Sequence, residues 1–140
     1  MYRILGKSQP IWFKPFKKFK PFKPFRGFNE EIIAMITIVH VVNQFFAGLG
    51  GEDKAGMPVG VIEGSAGAAR GLQLQLGDEA KIACTIYYGD NYFHEHKEDA
   101  IKAILDAVRS AQPQTLVAGP AFNSGRYGVS CVEVCNADCK

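Results

Sequence analysis

The sequence lacks an apolar run that is long enough to cross a membrane. Its longest run, IIAMITIVHVV at residues 32–42, has about 11 residues, whereas a transmembrane helix needs roughly 20. No apolar segment follows the positively charged N-terminus, because Lys and Pro interrupt its aromatic residues, so the chain does not have the pattern of a secretory signal. We therefore expect a soluble, cytoplasmic protein with no membrane partner.

Cysteine pairs of the C-x-x-C type are also missing. The chain has four cysteines, Cys84, Cys131, Cys135 and Cys139, of which the last three recur at every fourth position. Known zinc and iron–sulfur sites usually contain a C-x-x-C pair, and a chain without an export signal favours reduced thiols over disulfides. We expect no metal site, and we expect the recurring cysteines to form one stripe of a helix and to pack as small apolar residues.

Acidic residues are absent from the first 28 positions, which carry eight Lys or Arg, whereas the remaining residues carry eight basic and fourteen acidic side chains. Phe recurs at every third position in the segment FKPFKKFKPFKPFRGF at residues 13–28. Its prolines exclude a regular helix and favour extended polyproline II. We predict that residues 1–34 are a disordered, low-complexity extension. In the alternative interpretation, this basic-aromatic arm binds nucleic acid or anionic membrane, and the rest of the chain is a binding or assembly module.

Residues 35–140 alternate between β-branched apolar runs and segments of helical period, which indicates a partial α/β domain. Met35–Val42 and Ala80–Tyr88 are predicted as strands, and Thr115–Ala118 as a third. We predict helices at Ala66–Leu76, at Glu95–Ala111 and from Ser124 or Gly125 through the cysteines. The segment LQLQL at 72–76 taken alone is also compatible with a strand. This order predicts a three-layer, Rossmann-like or flavodoxin-like fold around a parallel sheet of about three strands.

The loops that follow the three predicted strands are rich in Gly, Asn and aromatic residues. They are NQFFAGLGGE at 43–52, GDNYF at 89–93 and GPAFNSGRYG at 119–128. Ligands of open parallel sheets bind at the carboxyl ends of the strands. We therefore expect one polar rim formed by Asn43, Gln44, Asp90, Asn91, Asn123 and Arg126.

Several of these residues have ordinary structural roles as alternatives. Arg126 could clamp a carboxylate or pair with a helix end, and Asp90 could cap the next helix. The AGLGGE segment does not have the spacing of a dinucleotide fingerprint. The HEH triplet at 94–96 is expected to be a solvated helix start, since its two His point apart on a helix, and His40 is expected to be a satisfied core or rim histidine.

The three loop segments together resemble a known family. VHVVNQFFAGLGGEDKA at 39–55, TIYYGDNYF at 85–93 and LVAGPAFNSGRYGVSCVEVC at 116–135 are similar to the N-terminal part of selenoprotein B. This family is component B of the glycine, sarcosine and betaine reductases, with relatives in D-proline reductase. The similarity extends from Ile36 to Cys135.

The resemblance implies an oxidoreductase subunit or fragment that acts in reductive C–N cleavage of small amines, in anaerobic fermentation of the Stickland type. It implies as partners a pyruvoyl-bearing subunit of component B, selenoprotein A and a small amine. The family's selenocysteine region has no counterpart among these residues, so we expect no cofactor and no catalytic residue in this chain, which by itself would be inactive. The residues expected to contact substrate or another subunit are Asn43, Gly50, Gly51, Glu52, Asp90, Asn123 and Arg126.

Overall fold

A computed structural model describes residues 35–122 and 125–139 of the chain. The helices and strands follow one another as β1 (Ile36–Asn43), β2 (Gly60–Glu63), α1 (Ala68–Leu76), β3 (Ala80–Tyr88), α2 (Asp90–Glu95), α3 (Lys97–Ala111), β4 (Thr115–Ala118) and α4 (Gly125–Asp138). A short 3₁₀ helix, Glu52–Lys54, lies between β1 and β2. The predicted extension at 1–34, the predicted site residue Asn123 and the predicted helix start at Ser124 lie outside the described residues.

The sheet has the strand order β2-β3-β1-β4. β1 pairs in parallel with both β3 and β4, as predicted, while β2 pairs antiparallel with β3. The α/β class is confirmed, but the prediction of a parallel sheet of about three strands was wrong in one respect, because the sheet is mixed and has four strands within residues 35–122 and 125–139. β2 has only four residues and lies in a glycine-rich stretch, so its own sequence carries little strand signal.

Helices cover both faces of the sheet. Val39 and Val41 of β1 belong to the core cluster formed with α3 and α4, whereas Ile38 belongs to the cluster formed with α1. This alternation follows from the two-residue period of a strand. The three-layer arrangement therefore matches the predicted one.

A bulge in β3 changes the face to which its side chains point. Ile38 of β1 pairs with Ile82, but Val39 pairs with Cys84, so one additional residue of β3 lies opposite this step. Ile82 accordingly packs in the α1 cluster, while Cys84 and Tyr88 pack with α3 and α4. Bulges commonly redirect side chains near functional sites, and this one places Tyr88 beneath the carboxyl edge of the sheet.

The helix α3 confirms the clearest helical pattern in the sequence. Ala100, Ile104 and Val108 are buried along one face, as expected from apolar residues at spacings of three and four. The segment before it was predicted as a loop that ends at Phe93, but the chain folds there into the short helix α2. Among the described residues, no helix is long and apolar enough to span a bilayer.

Candidate functional site

Asn43, the last residue of β1, connects the loop after β1 to the start of α2. Its side chain is buried, with 4% exposure. Its Oδ1 accepts a hydrogen bond from the backbone N–H of Phe46, and its Nδ2 donates to Oδ2 of Asp90. Each bond has a donor–acceptor distance of 2.9 Å. Because β1 and β3 are parallel neighbours, their carboxyl ends meet at the same edge, and one carboxamide can join the two segments that follow them.

Gln44 makes a second connection between the same segments. Its Oε1 accepts a hydrogen bond from the backbone N–H of Asp90 at a distance of 3.0 Å, and its Nε2 donates to the carbonyl of Gly51 at a distance of 3.3 Å. The Ala55 carbonyl accepts the backbone N–H groups of Asn91 and Tyr92 over 2.9 and 3.1 Å. These bonds satisfy N–H groups of the first turn of α2 that have no partner within a helix. The loop after β1 and the start of α2 are thus one hydrogen-bonded unit.

The close packing of this unit requires glycine at the end of β3. A Cβ added at Gly89 would lie 2.2 Å from the Ala55 carbonyl oxygen, which is far inside van der Waals contact. Gly89 also donates its N–H to the Met57 carbonyl over 3.0 Å. The glycine therefore permits the approach of the two segments, and no side-chain cap holds this helix start.

Arg126 reaches the same rim from the first turn of α4. Its Nη1 donates to Oδ1 of Asn91, and its Nη2 lies 4.0 Å from Oε1 of Glu52. Both Arg126 and Glu52 are exposed, so this ion pair contributes little to stability. The guanidinium is nevertheless held over the carboxyl edge of the sheet with donors that face solvent.

Asp90 is a partly buried carboxyl group of the rim. Burial raises its pKa above the usual range, against the opposing effects of the hydrogen bond from Asn43 and the positive charge of Arg126. Its Oδ1 is buried and has no hydrogen-bond partner within the described residues. Asp90 is the first residue of α2 and makes no side-chain cap, so the alternative of a helix cap was wrong. A partly buried, incompletely bonded carboxyl with a shifted pKa in a cleft is typical of functional sites.

Asp90 and Arg126 both line a cavity of about 560 Å³ between α4 and the end of α2 with the start of α3. The cavity has acidic, basic, hydroxyl and apolar groups in its wall. Its lining residues are Asp90, Phe93, His94, Lys97, Gly125, Arg126, Val129, Ser130 and Glu133. One ion pair is already made there, since Nζ of Lys97 donates to Oε1 of Glu133 over 2.5 Å.

Buried hydroxyl and aromatic groups form the floor beneath the rim. The hydroxyl groups of Tyr88 and Ser130 share a hydrogen bond of 2.5 Å, and Ser130 donates to the Tyr127 carbonyl over 2.8 Å. The ring of Tyr127 stacks on that of Phe46, with centroids 5.3 Å apart. Desolvation raises the pKa of Tyr88 and that of Tyr127 far above the ordinary value, so both phenols stay protonated.

The cysteines of α4 do not have the environment of a reactive thiolate. Cys131 is buried in the core, and desolvation raises the pKa of both Cys131 and Cys135. A nucleophilic cysteine needs the opposite shift. The expected stripe holds for Cys131, which is buried, and for Cys135, which is half-buried. It was wrong for Cys139, which is exposed and follows the end of α4. The apolar packing predicted for Cys131 is confirmed.

The structure brings most of the predicted rim residues together. Asn43, Gln44, Asp90, Asn91 and Arg126 are joined by the bonds above. Gly51 and Glu52 contact the same group, and Gly50 precedes them with a φ of 146°. Asn123 lies outside the described residues. Sequence reasoning did not assign Lys97, Ser130 and Glu133 to the site. Ser130 and Glu133 follow Arg126 by four and seven residues, and this spacing on one helix face is the signal that could have found them.

The three histidines of the chain take no part in the hydrogen bonds described above for the rim residues, although His94 lines the cavity. His40 is buried, and its Nε2 bonds to the Gly119 carbonyl over 2.6 Å, whereas its Nδ1 has no partner within the described residues. The expectation of a satisfied histidine therefore holds for one ring nitrogen. His96 stacks on Tyr92 with centroids 4.9 Å apart. In residues 35–122 and 125–139, no group of three or more His, Cys, Asp or Glu side chains is arranged to hold a metal ion.

Comparison with known proteins identifies the family of this α/β lobe. The model of the glycine/sarcosine/betaine reductase selenoprotein B family matches residues 35–140. The sarcosine reductase complex component B subunit beta of Peptoclostridium acidaminophilum is 47% identical over 102 residues, which cover 73% of this chain and 23% of that protein. The glycine reductase complex component B subunit gamma of Symbiobacterium thermophilum is 46% identical over 94 residues, which cover 67% of this chain and 22% of that protein.

A betaine reductase relative is similar over the same share of the chain. The betaine reductase complex component B subunit beta of Peptoclostridium acidaminophilum is 42% identical over 94 residues, which cover 67% of this chain and 21% of that protein. No solved structure matches the chain. The chain thus spans about a quarter of the length of these curated relatives. With its α/β lobe matched from residue 35 to residue 140, the chain belongs to the glycine/sarcosine/betaine reductase selenoprotein B family.

Proposed function

We propose that this chain is a subunit or fragment of a glycine, sarcosine or betaine reductase component B, or of a D-proline reductase, and that it supplies one wall of the amine site. The observation that carries this proposal is the presence of Asp90 and Arg126 in one cavity at the carboxyl edge of the sheet. An amino acid such as glycine has one carboxylate and one ammonium group. The guanidinium of Arg126 suits the first, and the carboxylate of Asp90 suits the second.

The size and polarity of the cavity support a small zwitterion. Its volume of about 560 Å³ lies within the usual range for small-molecule sites and leaves room for water or for a group from another chain. Lys97 and Glu133 already neutralise each other, whereas among the described residues Arg126 has only a neutral carboxamide and a distant carboxylate as partners. Arg126 is therefore the cation with the most unused donors at this wall.

In this proposal the chain binds and orients the amine but does not carry the redox chemistry. The described cysteines with raised pKa do not fit a nucleophile's role, so the selenocysteine and the pyruvoyl group of the family would be supplied by other parts of the complex. A selenolate is ionised at neutral pH and would add the strong nucleophile that these thiols cannot. The pathway would be anaerobic, of the Stickland type, and cytoplasmic, with selenoprotein A as the next acceptor.

The proposal is tested by titrating the isotope-labelled chain with glycine, sarcosine and betaine and following its amide resonances. We expect shifts at Asp90, Arg126 and Ser130. Arg126→Gln should weaken binding of the amino acid by about 10- to 100-fold, which corresponds to the loss of one charge-assisted contact. Arg109→Gln is the matched control, because Arg109 is exposed on α3 and pairs with Asp106. Shifts that are absent from the cavity, or equal weakening by both substitutions, would contradict the proposal.

A further inference from the structure

The outer face of α4 is apolar and has no covering element among the described residues. Val129 and Val132, one turn apart on this helix, are 58% and 57% exposed, and Phe122 beside them is 61% exposed. These side chains border an open groove of about 650 Å³, which we call the α4 groove. It is lined by Ala121, Phe122, Gly125, Gly128, Val129, Val132 and Glu133.

This surface differs from the solvent face of the neighbouring helix. On α3 the exposed positions carry charged side chains such as Asp99, Lys102 and Asp106, as is normal for a helix that faces water. Between Arg126 and Glu133, α4 carries no charge, and both of its exposed apolar residues are valines. A contiguous apolar face of this kind indicates contact with another protein surface.

The groove is held in shape by packing against the helix. A Cβ added at Gly128 would lie 2.7 Å from the Phe122 carbonyl oxygen, so the segment before α4 lies directly on the helix backbone. The ring of Phe122 packs on that of Phe46, with centroids 5.7 Å apart. The exposed part of Phe122 therefore sits in a fixed position, which reduces the entropy cost of binding a partner.

The length of the relatives indicates what covers this face. The matched regions make up only 21% to 23% of the three curated relatives named above. A lobe that is one part of a much larger polypeptide shares an interface with the rest, and such interfaces are partly apolar. We propose that the α4 groove docks an apolar segment from the part of the component B polypeptide outside the matched region.

Docking at this position would also complete the amine site. The α4 groove and the cavity next to it share Gly125, Val129 and Glu133. A segment seated on Val129 and Val132 would therefore close the open side of the cavity. The docking inference concerns assembly of the polypeptide, so it does not depend on which ligand the cavity takes.

The test combines the full 140-residue chain with the unmatched part of the Peptoclostridium acidaminophilum sarcosine reductase relative, expressed as a separate chain. We expect the two to associate in size-exclusion chromatography and calorimetry. Val132→Asp should weaken this association at least about tenfold, because a carboxylate would be buried without a partner. Leu74→Asp is the matched control, since Leu74 is 81% exposed on α1, and it should change the affinity less than about twofold.

A second measurement uses a chimera in which residues 35–140 replace the matched region of that relative. Val132→Asp should lower the melting temperature of the chimera while it leaves that of the 140-residue chain unchanged, and Leu74→Asp should affect neither. The proposal would be overturned by three results: no association of the unsubstituted chain, equal affinities for the Val132→Asp and unsubstituted chains, or self-association of this chain that Val132→Asp abolishes. The last result would identify a second copy as the occupant.

Discussion

Substitution of Asn43 by alanine should be among the most destabilising polar changes in the lobe. The buried side chain satisfies the N–H of Phe46 and one carboxylate oxygen of Asp90. Each buried group left without a partner costs about 1–3 kcal/mol, with more for a charged group that remains dry. Asp90 is only partly buried, so water can replace part of the hydrogen bonding that its carboxylate loses. We expect a loss of about 3 kcal/mol in the free energy of unfolding, or about 15 °C in melting temperature for a lobe of this size.

The measurement is urea unfolding followed by circular dichroism, with Asn136→Ala as the matched control. Asn136 is exposed on α4, and its substitution should change the free energy of unfolding by no more than about 0.5 kcal/mol. An Asn43→Ala cost below about 1 kcal/mol would show that the loop after β1 and the start of α2 are not joined as described. A double-mutant cycle with Asp90→Ala isolates the Asn43–Asp90 bond, for which we expect a coupling of about 1–2 kcal/mol.

Asn43→Asp separates charge from shape at the same position. The new side chain retains an acceptor for Phe46, but it places a second carboxylate beside Asp90, whose pKa burial already raises. A like charge raises the folded-state pKa further. An acid whose pKa is higher in the folded state than in the unfolded state stabilises the fold fully below the unfolded-state pKa of about 3.9. This contribution is lost as pH rises through the folded-state pKa. The penalty of Asn43→Asp relative to the unsubstituted chain should therefore be larger at pH 7 than at pH 4, and an equal penalty at both would refute this account.

Three further outcomes follow from buried positions elsewhere in the lobe. Gly89→Ala should cost about 3 kcal/mol in the free energy of unfolding or prevent folding, because its Cβ would lie 2.2 Å from a backbone oxygen. Gly56→Ala is the control in the same urea denaturation assay. It should be nearly neutral, because a Cβ at Gly56 would have no heavy atom within 4 Å. Burial lowers the pKa of His40. The free energy of unfolding should therefore fall as pH drops below about 6.5, where the histidine of the unfolded chain takes up a proton. His40→Gln should flatten this pH dependence, whereas substitution of an exposed histidine, His96→Gln, should not. Ile104→Ala removes a side chain with 0% exposure and should cost about 2–5 kcal/mol, and a cost below about 1 kcal/mol would contradict the core described for α3.

The predicted elements that proved right are those with a strong local pattern. The apolar run of β1 and the spacing of Ile104 and Val108 on α3 are strong local signals of a strand and of a helix. β2 could not be predicted, because four residues with Gly60 at the start form a strand only when β3 supplies hydrogen bonds. The helix α2 was missed for a related reason, since N–H groups of its first turn bond to the Ala55 carbonyl, more than 30 residues away in sequence.

The candidate site was predictable as an edge but not as a cavity. The rule that parallel strands end at one edge selected Asn43, Asp90 and Arg126 without knowledge of any contact. The rule carried no information on Lys97 or Ser130, which enter the wall because two helices pack side by side. Helix packing depends on side chains distant in sequence, so the cavity emerges only from the assembled lobe.

The contacts also divide the predicted rim residues into two groups with different roles. Asn43 and Gln44 are buried, and each bonds through both ends of its carboxamide to the protein itself. They have little bonding capacity left for a ligand, so their substitution should alter stability first and binding only as a consequence. Within the described residues, Asp90 retains an unpaired oxygen and Arg126 retains unused donors. Substitution at Arg126 should therefore alter binding more than stability, and substitution at Asp90 should alter both, because its Oδ2 is the partner of Asn43. The loss of binding free energy and the loss of unfolding free energy can be measured for substitutions at all four positions. If the ratio of the two losses were the same at every position, this division would be contradicted, because the carboxamides would then contact the ligand directly.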